Sequence, residues 1–419
     1  MSIIISMLLS LFIVKVPMQI NITTVTLFIS AIAGYSGIML LLWNFALGTR
    51  SVSTLLFKDY AKTIKLHSWI GKYGTLLIFL HPILVMISYS KSLLFVILPS
   101  FSSEFENAIT YGRAALWIIL VIWISSALLK SKVSYRPWKY LHLGAYISIP
   151  FALLHVPDTG SSYATSIGTK LYFFIVVIGF LIFLLIRLRG ALNLNKSKYS
   201  ISLQKEVSPE VFVIQLTPQS IYKLTPEPGQ YIYVKRGWFS EDHPFSVLDY
   251  NATNGVITLG YKTYGAFTKK LSKVKVGSIL LVSGPFGYFT QDINTNPVVY
   301  IAGGIGVTPF MSHILHENNK REQWLFYTNR TFDSAAFETS LRQSLQDRYI
   351  PIYSREEYLP TIKGEFGYIK SEMFIKYLSN PKTYSYYICG PQTMIKSVTK
   401  ELKQLGISDK DIHQESFNF

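Results

Sequence analysis

Cysteine is nearly absent from this 419-residue chain, and acidic residues are scarce. The single Cys389 excludes an intrachain disulfide framework and any structural zinc site built on several thiolates. Asp and Glu number 24 against 40 Lys and Arg, a formal charge of +16. In residues 1–190 the balance is 15 basic to 4 acidic, so 15 − 4 = +11 of that excess lies there. No nucleic-acid motif accompanies the charge, which excludes a nucleic-acid partner. The excess reads instead as loop charge that sets orientation in a lipid bilayer and touches anionic lipid. Ile3 to Val14 also lacks the basic start and small-residue cleavage site of a signal peptide.

What is present in the first 190 residues is long apolar sequence. Ile3–Val14, Thr24–Phe45, Ile64–Tyr89, Arg113–Leu129, Tyr140–His155 and Leu171–Ile186 read as six membrane spans, the first short or tilted. Four of the eight histidines fall in two of them: His67 and His81 in the third, His142 and His155 in the fifth. Ionisable groups at membrane depth are functional candidates by default. Two histidine pairs at two depths suit two flat groups stacked across the bilayer, and haem is the obvious one because imidazole is a standard axial ligand. Proton relay by the same side chains in a haem-free protein is the other reading.

Arg50, Lys58, Lys62 and Lys65 lie between spans two and three, and Lys130, Lys132, Arg136 and Lys139 between four and five. These loops should face the cytoplasm. Spans three and five then run the same way, which pairs His67 with His142 on the inner side and His81 with His155 on the outer side. The 14-residue spacing keeps His67 and His81 within roughly 40° on an ideal helix, whereas 13 residues rotate His155 about 220° from His142. Pro150 lies between the latter two and is the candidate for a kink. Lys72 either snorkels to the inner interface or meets a haem propionate.

A short linker, residues 191–200, leads to six strand-like segments: Tyr199–Gln204, Val211–Leu216, Gln230–Val234, Phe245–Leu248, Gly255–Tyr261 and Ser278–Ser283. They predict a small antiparallel barrel over 201–292. From Val298 the rhythm of strand, glycine turn, helix and strand predicts a parallel α/β domain over 293–419. Gly303, Gly304 and Gly306 follow the first of these strands, with Thr308-Pro309 suited to a helix start. Such a turn lets a backbone approach a pyrophosphate. Arg330, where NAD-binding folds place an acidic residue, favours the 2′-phosphate of NADPH. Cys389 would sit at the carboxyl end of the sheet, where ligands bind. In the barrel, His243-Pro244-Phe245-Ser246 and Gly265-Ala266-Phe267-Thr268, with Lys262 nearby, are the candidates for a flavin.

Pro228-Gly-Gln-Tyr231, His243-Pro-Phe-Ser246, Gly284-Pro-Phe-Gly287, Ala302-Gly-Gly-Ile-Gly-Val-Thr-Pro309, Cys389-Gly-Pro391 and the terminal Phe419 resemble the ferredoxin–NADP reductase type dehydrogenase region. Joined to the spaced histidine pairs, the chain resembles the NADPH oxidase and ferric reductase superfamily, most closely its compact prokaryotic NADPH oxidases. The resemblance implies a six-helix transmembrane domain (1–190) carrying two b-type haems, an FAD-binding barrel and an NADPH-binding α/β domain. It implies haem ligation by His67, His81, His142 and His155, and places Tyr231, His243 to Ser246, Lys262, Gly265, Phe267 and Thr268 along FAD. Gly303, Gly304, Gly306, Thr308, Pro309, Arg330, Gly390 and Pro391 would hold the dinucleotide. Ser246 and Cys389 would lie near the nicotinamide, and Phe419 would stack on the flavin ring. The implied activity is transfer of electrons from cytosolic NADPH to dioxygen outside, forming superoxide, with ferric iron as the alternative acceptor. Two positions depart from the pattern: Gly367-Tyr368 stands where a glycine–arginine pair is common, and Val85 where animal oxidases place a further histidine. The sequence also predicts a bacterial plasma-membrane protein that needs no regulatory subunit.

Overall fold

The computed structural model describes residues 2–57, 60–238, 240–287, 289–290, 297–316, 321–356 and 363–416. The chain divides into two compact units, Met1–Leu192 and Asn193–Phe419.

The first unit is helical. Among the described residues, four helices are long and apolar enough to cross a membrane: Ile22–Gly48, Lys62–Ser88, Glu104–Leu128 and Ile167–Ala191. The expected first span is a shorter apolar run, Ser2–Ile13. The expected fifth is two helices, Tyr135–Leu143 and Ala145–Thr159, separated at Gly144. Local chemistry sets the helix starts. The Asn21 side chain accepts the Thr24 N–H while the Thr24 hydroxyl accepts the Asn21 N–H, a reciprocal cap. Ser103 caps the helix that begins with Glu104 and Glu106, carboxylates that suit its positive end. On the last helix Leu171, Ile175, Ile178, Ile182 and Leu185 recur every three or four residues and are all exposed, so one stripe faces lipid. Its other side is buried through Tyr172, Val176 and Phe180, and the Tyr172 hydroxyl lies 3.2 Å from the carbonyls of both Ser6 and Tyr35.

The second unit opens with a closed six-stranded antiparallel barrel: β1 (Ser197–Ser208), β2 (Val211–Pro218), β3 (Tyr231–Lys235), β4 (His243–Asn251), β5 (Val256–Lys262) and β6 (Ile279–Phe286). Its order is β1-β2-β5-β4-β3-β6. All six expected strands are present, though β1 begins at Ser197, inside the stretch read as linker. Closure removes free edges and buries Ile201, Ile214, Leu216, Ile232, Val234, Ile257, Leu259 and Val282 in one core. A six-stranded parallel sheet follows: β7 (Val298–Gly303), β8 (Gln323–Asn329), β9 (Tyr349–Tyr353), β10 (Glu365–Phe366), β11 (Ser385–Gly390) and β12 (Ile412–Ser416). Its order is β10-β9-β8-β7-β11-β12, with separate apolar cores on its two faces. Chain order reverses beside β7. That reversal opens a crevice between the loops after β7 and β11.

Candidate functional site

The helical unit brings the four histidines together in two pairs. The rings of His67 and His142 have centroids 5.9 Å apart, and those of His81 and His155 6.3 Å apart. A metal ion bonded to one nitrogen of each ring at about 2 Å would hold the centroids on the order of 6 Å apart. Three of the four Nδ1 atoms face backbone carbonyls: His67 to Asn44 at 3.1 Å, His81 to Ser30 at 2.9 Å and His155 to Ala108 at 3.0 Å. A carbonyl only accepts, so these nitrogens carry the proton and Nε2 keeps its lone pair, the arrangement that metal-ligating histidines adopt. His142 differs, its Nδ1 lying 3.2 Å from the Ser126 hydroxyl while Trp138 stacks on its ring. Among the described residues no three His, Cys, Asp or Glu side chains gather. Each pair thus offers two protein donors, which fits a haem, whose ring supplies the rest.

Each carbonyl partner is followed four residues later by a glycine. A Cβ on Gly48 would come within 3.2 Å of His67, one on Gly34 within 3.1 Å of His81, and one on Gly112 within 2.9 Å of His155. Sequence reasoning missed these glycines, because each lies on a different helix from the histidine it serves. The 13-residue mismatch is resolved by two opposite distortions. Between His67 and His81 the helix passes through a π turn, Ile70–Gly74, which takes more residues per turn. Between His142 and His155 the chain tightens at Gly144, whose N–H reaches Leu141 and whose carbonyl accepts from Ile147, both three residues away. One span is underwound and the other overwound, so spacings of 14 and 13 become equivalent in rotation and rise. Lys72 is exposed, its ammonium 5.2 Å from the centre of the Tyr73 ring.

In the crevice, the three glycines after β7 do different jobs. A Cβ on Gly306 would lie 2.3 Å from the Cys389 carbonyl, and one on Gly303 2.6 Å from the Met394 sulfur. Gly390 is held likewise, 2.7 Å from the Met394 methyl. These three let the loops after β7 and β11 touch. Gly304 alone has φ +53° with open space beyond it, so it is the position left for a ligand backbone approach. Thr308 and Pro309 are buried; the Thr308 hydroxyl donates to the Ile305 carbonyl at 3.0 Å, closing the helix start. Cys389 is fully buried beside the β7 core. Burial, with Glu415 adding to it, pushes its thiol well above the usual range, so in this arrangement it is a packing group rather than an exposed thiolate. Arg330 stands exposed at the end of β8, and its carbonyl accepts the Arg355 N–H from the end of β9 at 2.9 Å. The Glu356 carboxylate accepts the Phe332 N–H at 2.9 Å, bringing an acidic group beside Arg330 that spacing in the sequence does not reveal.

In the barrel, strand alternation divides the His243–Ser246 stretch. Phe245 and Val247 belong to the barrel core, so His243 shares their face while Pro244 and Ser246 point the other way. Phe245 lies on the same side as His243, its ring centre 6.1 Å from that of Phe267. Tyr231 pairs with Ser246 across β3 and β4. The Gly284–Gly287 turn packs on Tyr231, where a Cβ at Gly287 would lie 2.9 Å from the ring. His243 stacks on Phe267 with centroids 3.8 Å apart. The Thr268 hydroxyl accepts the N–H groups of Tyr264 and Gly265, each at 3.1 Å, while Lys262 ion-pairs with Glu210 at 3.5 Å. Phe419 lies outside the described residues.

Comparison with known proteins matches residues 33–153 to the ferric reductase like transmembrane component and residues 300–400 to the oxidoreductase NAD-binding domain. Over 195 residues, 41% of this chain and 48% of the relative, it is 28% identical to a subunit of the Na(+)-translocating NADH-quinone reductase of Histophilus somni (strain 129Pt). The corresponding protein of Haemophilus influenzae (strain PittGG) is 27% identical over 41% of this chain and 47% of its own length. The chain spans about half the length of the curated relatives it matches. Among solved structures, the flavohem-like FAD/NAD binding domain of nitric oxide dioxygenase from Vibrio cholerae aligns at 22% identity over 53% of this chain and 99% of that one, TM-score 0.48. A flavohemoglobin from Malassezia yamatoensis aligns at 20% identity over 78% and 90%, TM-score 0.49. A ferric-reductase-type membrane component, a six-stranded barrel and an NAD-binding α/β domain thus follow one another in this chain, the architecture of the ferric reductase/NADPH oxidase-like superfamily.

Proposed function

We propose that the protein takes electrons from NADPH on the cytoplasmic side of a bacterial plasma membrane and delivers them, by way of FAD and two b-type haems, to dioxygen outside, producing superoxide. The observation that carries this reading is the two histidine pairs, in three of whose four rings a helix carbonyl holds the proton on Nδ1 and leaves the lone pair on Nε2. When bound, the flavin supplies conversion between two-electron and one-electron transfer and the haems supply one-electron steps, chemistry that belongs to the cofactors. The chain's own work is placement. His67 and His142 would hold the inner haem, and His81 and His155 the outer one. Gly304 would admit the pyrophosphate and Arg330 the 2′-phosphate of NADPH. Tyr231, Pro244 and Ser246, with the Gly265–Thr268 turn, would border FAD, and Phe419 would cover its ring until nicotinamide displaces it.

A second reading keeps the same residues and replaces dioxygen by ferric iron or another metal. The description of the family matched over residues 33–153 favours it. Reduced-minus-oxidised spectroscopy of the purified full-length protein tests the haem reading: about two low-spin haems per chain are expected, one for each histidine pair, and none at all overturns it. Superoxide dismutase-sensitive cytochrome c reduction, measured beside anaerobic Fe(III) reduction, then separates the acceptors. Iron reduced far faster than oxygen is consumed would assign the second.

A further inference from the structure

We propose that the first part of the loop between β2 and β3, Gln219 to Lys223, is an anchor that inserts into the anionic phospholipid surface of the membrane the chain spans. Ile221 is 95% exposed and its neighbour Tyr222 86% exposed. Single exposed apolar residues are ordinary, but this pair does not stand alone. Leu194, 62% exposed, lines a shallow groove together with Tyr222, Lys198 and Ser220.

The fold fixes which end of the barrel carries this cluster. β1 leads away from the last spanning helix, and β2 returns antiparallel, with Tyr199 paired to Pro218. The Gln219 N–H donates to the Lys198 carbonyl at 2.9 Å, so the loop leaves the barrel level with the first residues of β1. The last apolar helix ends at Ala191, only three residues before Leu194, or at most about 11 Å of chain. The chain therefore tethers the segment that carries Leu194 to the end of a helix long and apolar enough to cross a membrane.

Its chemistry suits that position. Tyrosine is favoured at headgroup level, where its ring and hydroxyl meet different media. An isoleucine at the tip adds apolar area, and Lys198 and Lys223, both exposed, add attraction to anionic lipid. Lys196 contributes less, because its ammonium is engaged by Asp242. Arg187 and Arg189 close the same helix and extend the basic zone along the chain.

The native chain offers a clean test, since its sole cysteine, Cys389, is buried. Full-length protein carrying Ile221→Cys, labelled with an environment-sensitive fluorophore, is placed in nanodiscs of phosphatidylcholine with or without phosphatidylglycerol. Blue-shifted emission, quenched by spin-labelled lipid and several-fold more strongly with phosphatidylglycerol, is the expected result. Tyr222→Cys should behave alike, and K198E/K223E should remove the preference for anionic lipid. Emission typical of water and no quenching by spin-labelled lipid in either composition overturns the anchor. A blue shift that depends on protein concentration and ignores spin-labelled lipid also overturns it, in favour of a second protein copy. Neither readout depends on haem, flavin or the identity of the electron acceptor.

Discussion

Gly112 lies flat against the ring of His155: a Cβ there would come within 2.9 Å of Nδ1 and 3.0 Å of both Cγ and Cε1. The neighbouring carbonyl of Ala108 takes the Nδ1 proton of the same ring. One helix turn thus supplies both the hydrogen bond that selects the tautomer and the gap that admits the ring. The same device serves His67 through Asn44 and Gly48, and His81 through Ser30 and Gly34.

Gly112→Ala should therefore displace His155 while leaving the inner pair intact. The expected outcome is loss of roughly half the low-spin haem absorbance of the purified protein. Gly71→Ala is the control, because its Cβ would meet the Asn44 amide at an ordinary 3.6 Å. Full haem content in Gly112→Ala would refute the packing role.

Ser126→Ala should act on the inner pair alone. The Ser126 hydroxyl faces His142 Nδ1 and also accepts the Trp138 indole N–H at 3.1 Å. Removing an acceptor from a ligating imidazole lowers its basicity, which destabilises the oxidised iron. A redox titration should show the inner component move to higher potential with the outer one unchanged. Equal movement of both components would contradict the assignment.

Arg330→Ala should lower kcat/KM for NADPH by about tenfold, the scale of one lost charge-assisted contact, with a smaller change for NADH. Steady-state kinetics with both dinucleotides gives the ratio. An unchanged NADPH/NADH ratio would remove Arg330 from the 2′-phosphate site. Glu356→Gln, which takes a negative charge from the same loop, should shift the ratio towards NADPH.

His313 predicts that the second unit is acid-sensitive. Burial, reinforced by the Arg321 guanidinium, pushes its imidazole down to about 4, and its Nε2 lies 2.8 Å from the Thr290 hydroxyl. The unfolded chain, with histidine near pKa 6.5, then binds more protons than the folded one between these values. Stability contributed by the neutral form is complete above about pH 6.5 and falls as pH drops towards about 4, by up to about 3 kcal/mol. The melting temperature of the second unit within the full-length protein should decline over this window, and His313→Gln should flatten the slope. An identical slope in the variant would assign the acid sensitivity elsewhere.

Much of the architecture was legible because it is written in period and composition. Alternating β-branched and aromatic runs marked all six barrel strands, and the glycine turn after Val298 marked the head of the parallel sheet. The paired histidines were legible from topology, since with one span between them their two segments run in the same direction. Less readable were the roles of single glycines. Gly303, Gly304 and Gly306 look equivalent in sequence, yet two are needed where loops from distant strands touch and only Gly304 faces open space. The split of His243 to Ser246 between two sides of β4 was also hidden, because a motif read as a unit conceals the alternation of a strand.

The sequence alone determined that the histidines of two apolar segments pair first with first and second with second, and that a barrel precedes a parallel sheet, since hydropathy, charge bias and local propensity act along the chain. Tertiary structure decided how 13 and 14 residues become equivalent, through a π turn in one span and a tightened turn at Gly144 in the other. It also decided which carbonyl fixes the tautomer of three of the four imidazoles, and that Cys389 is core rather than surface. These are contacts between segments far apart in the chain, and only packing brings them together.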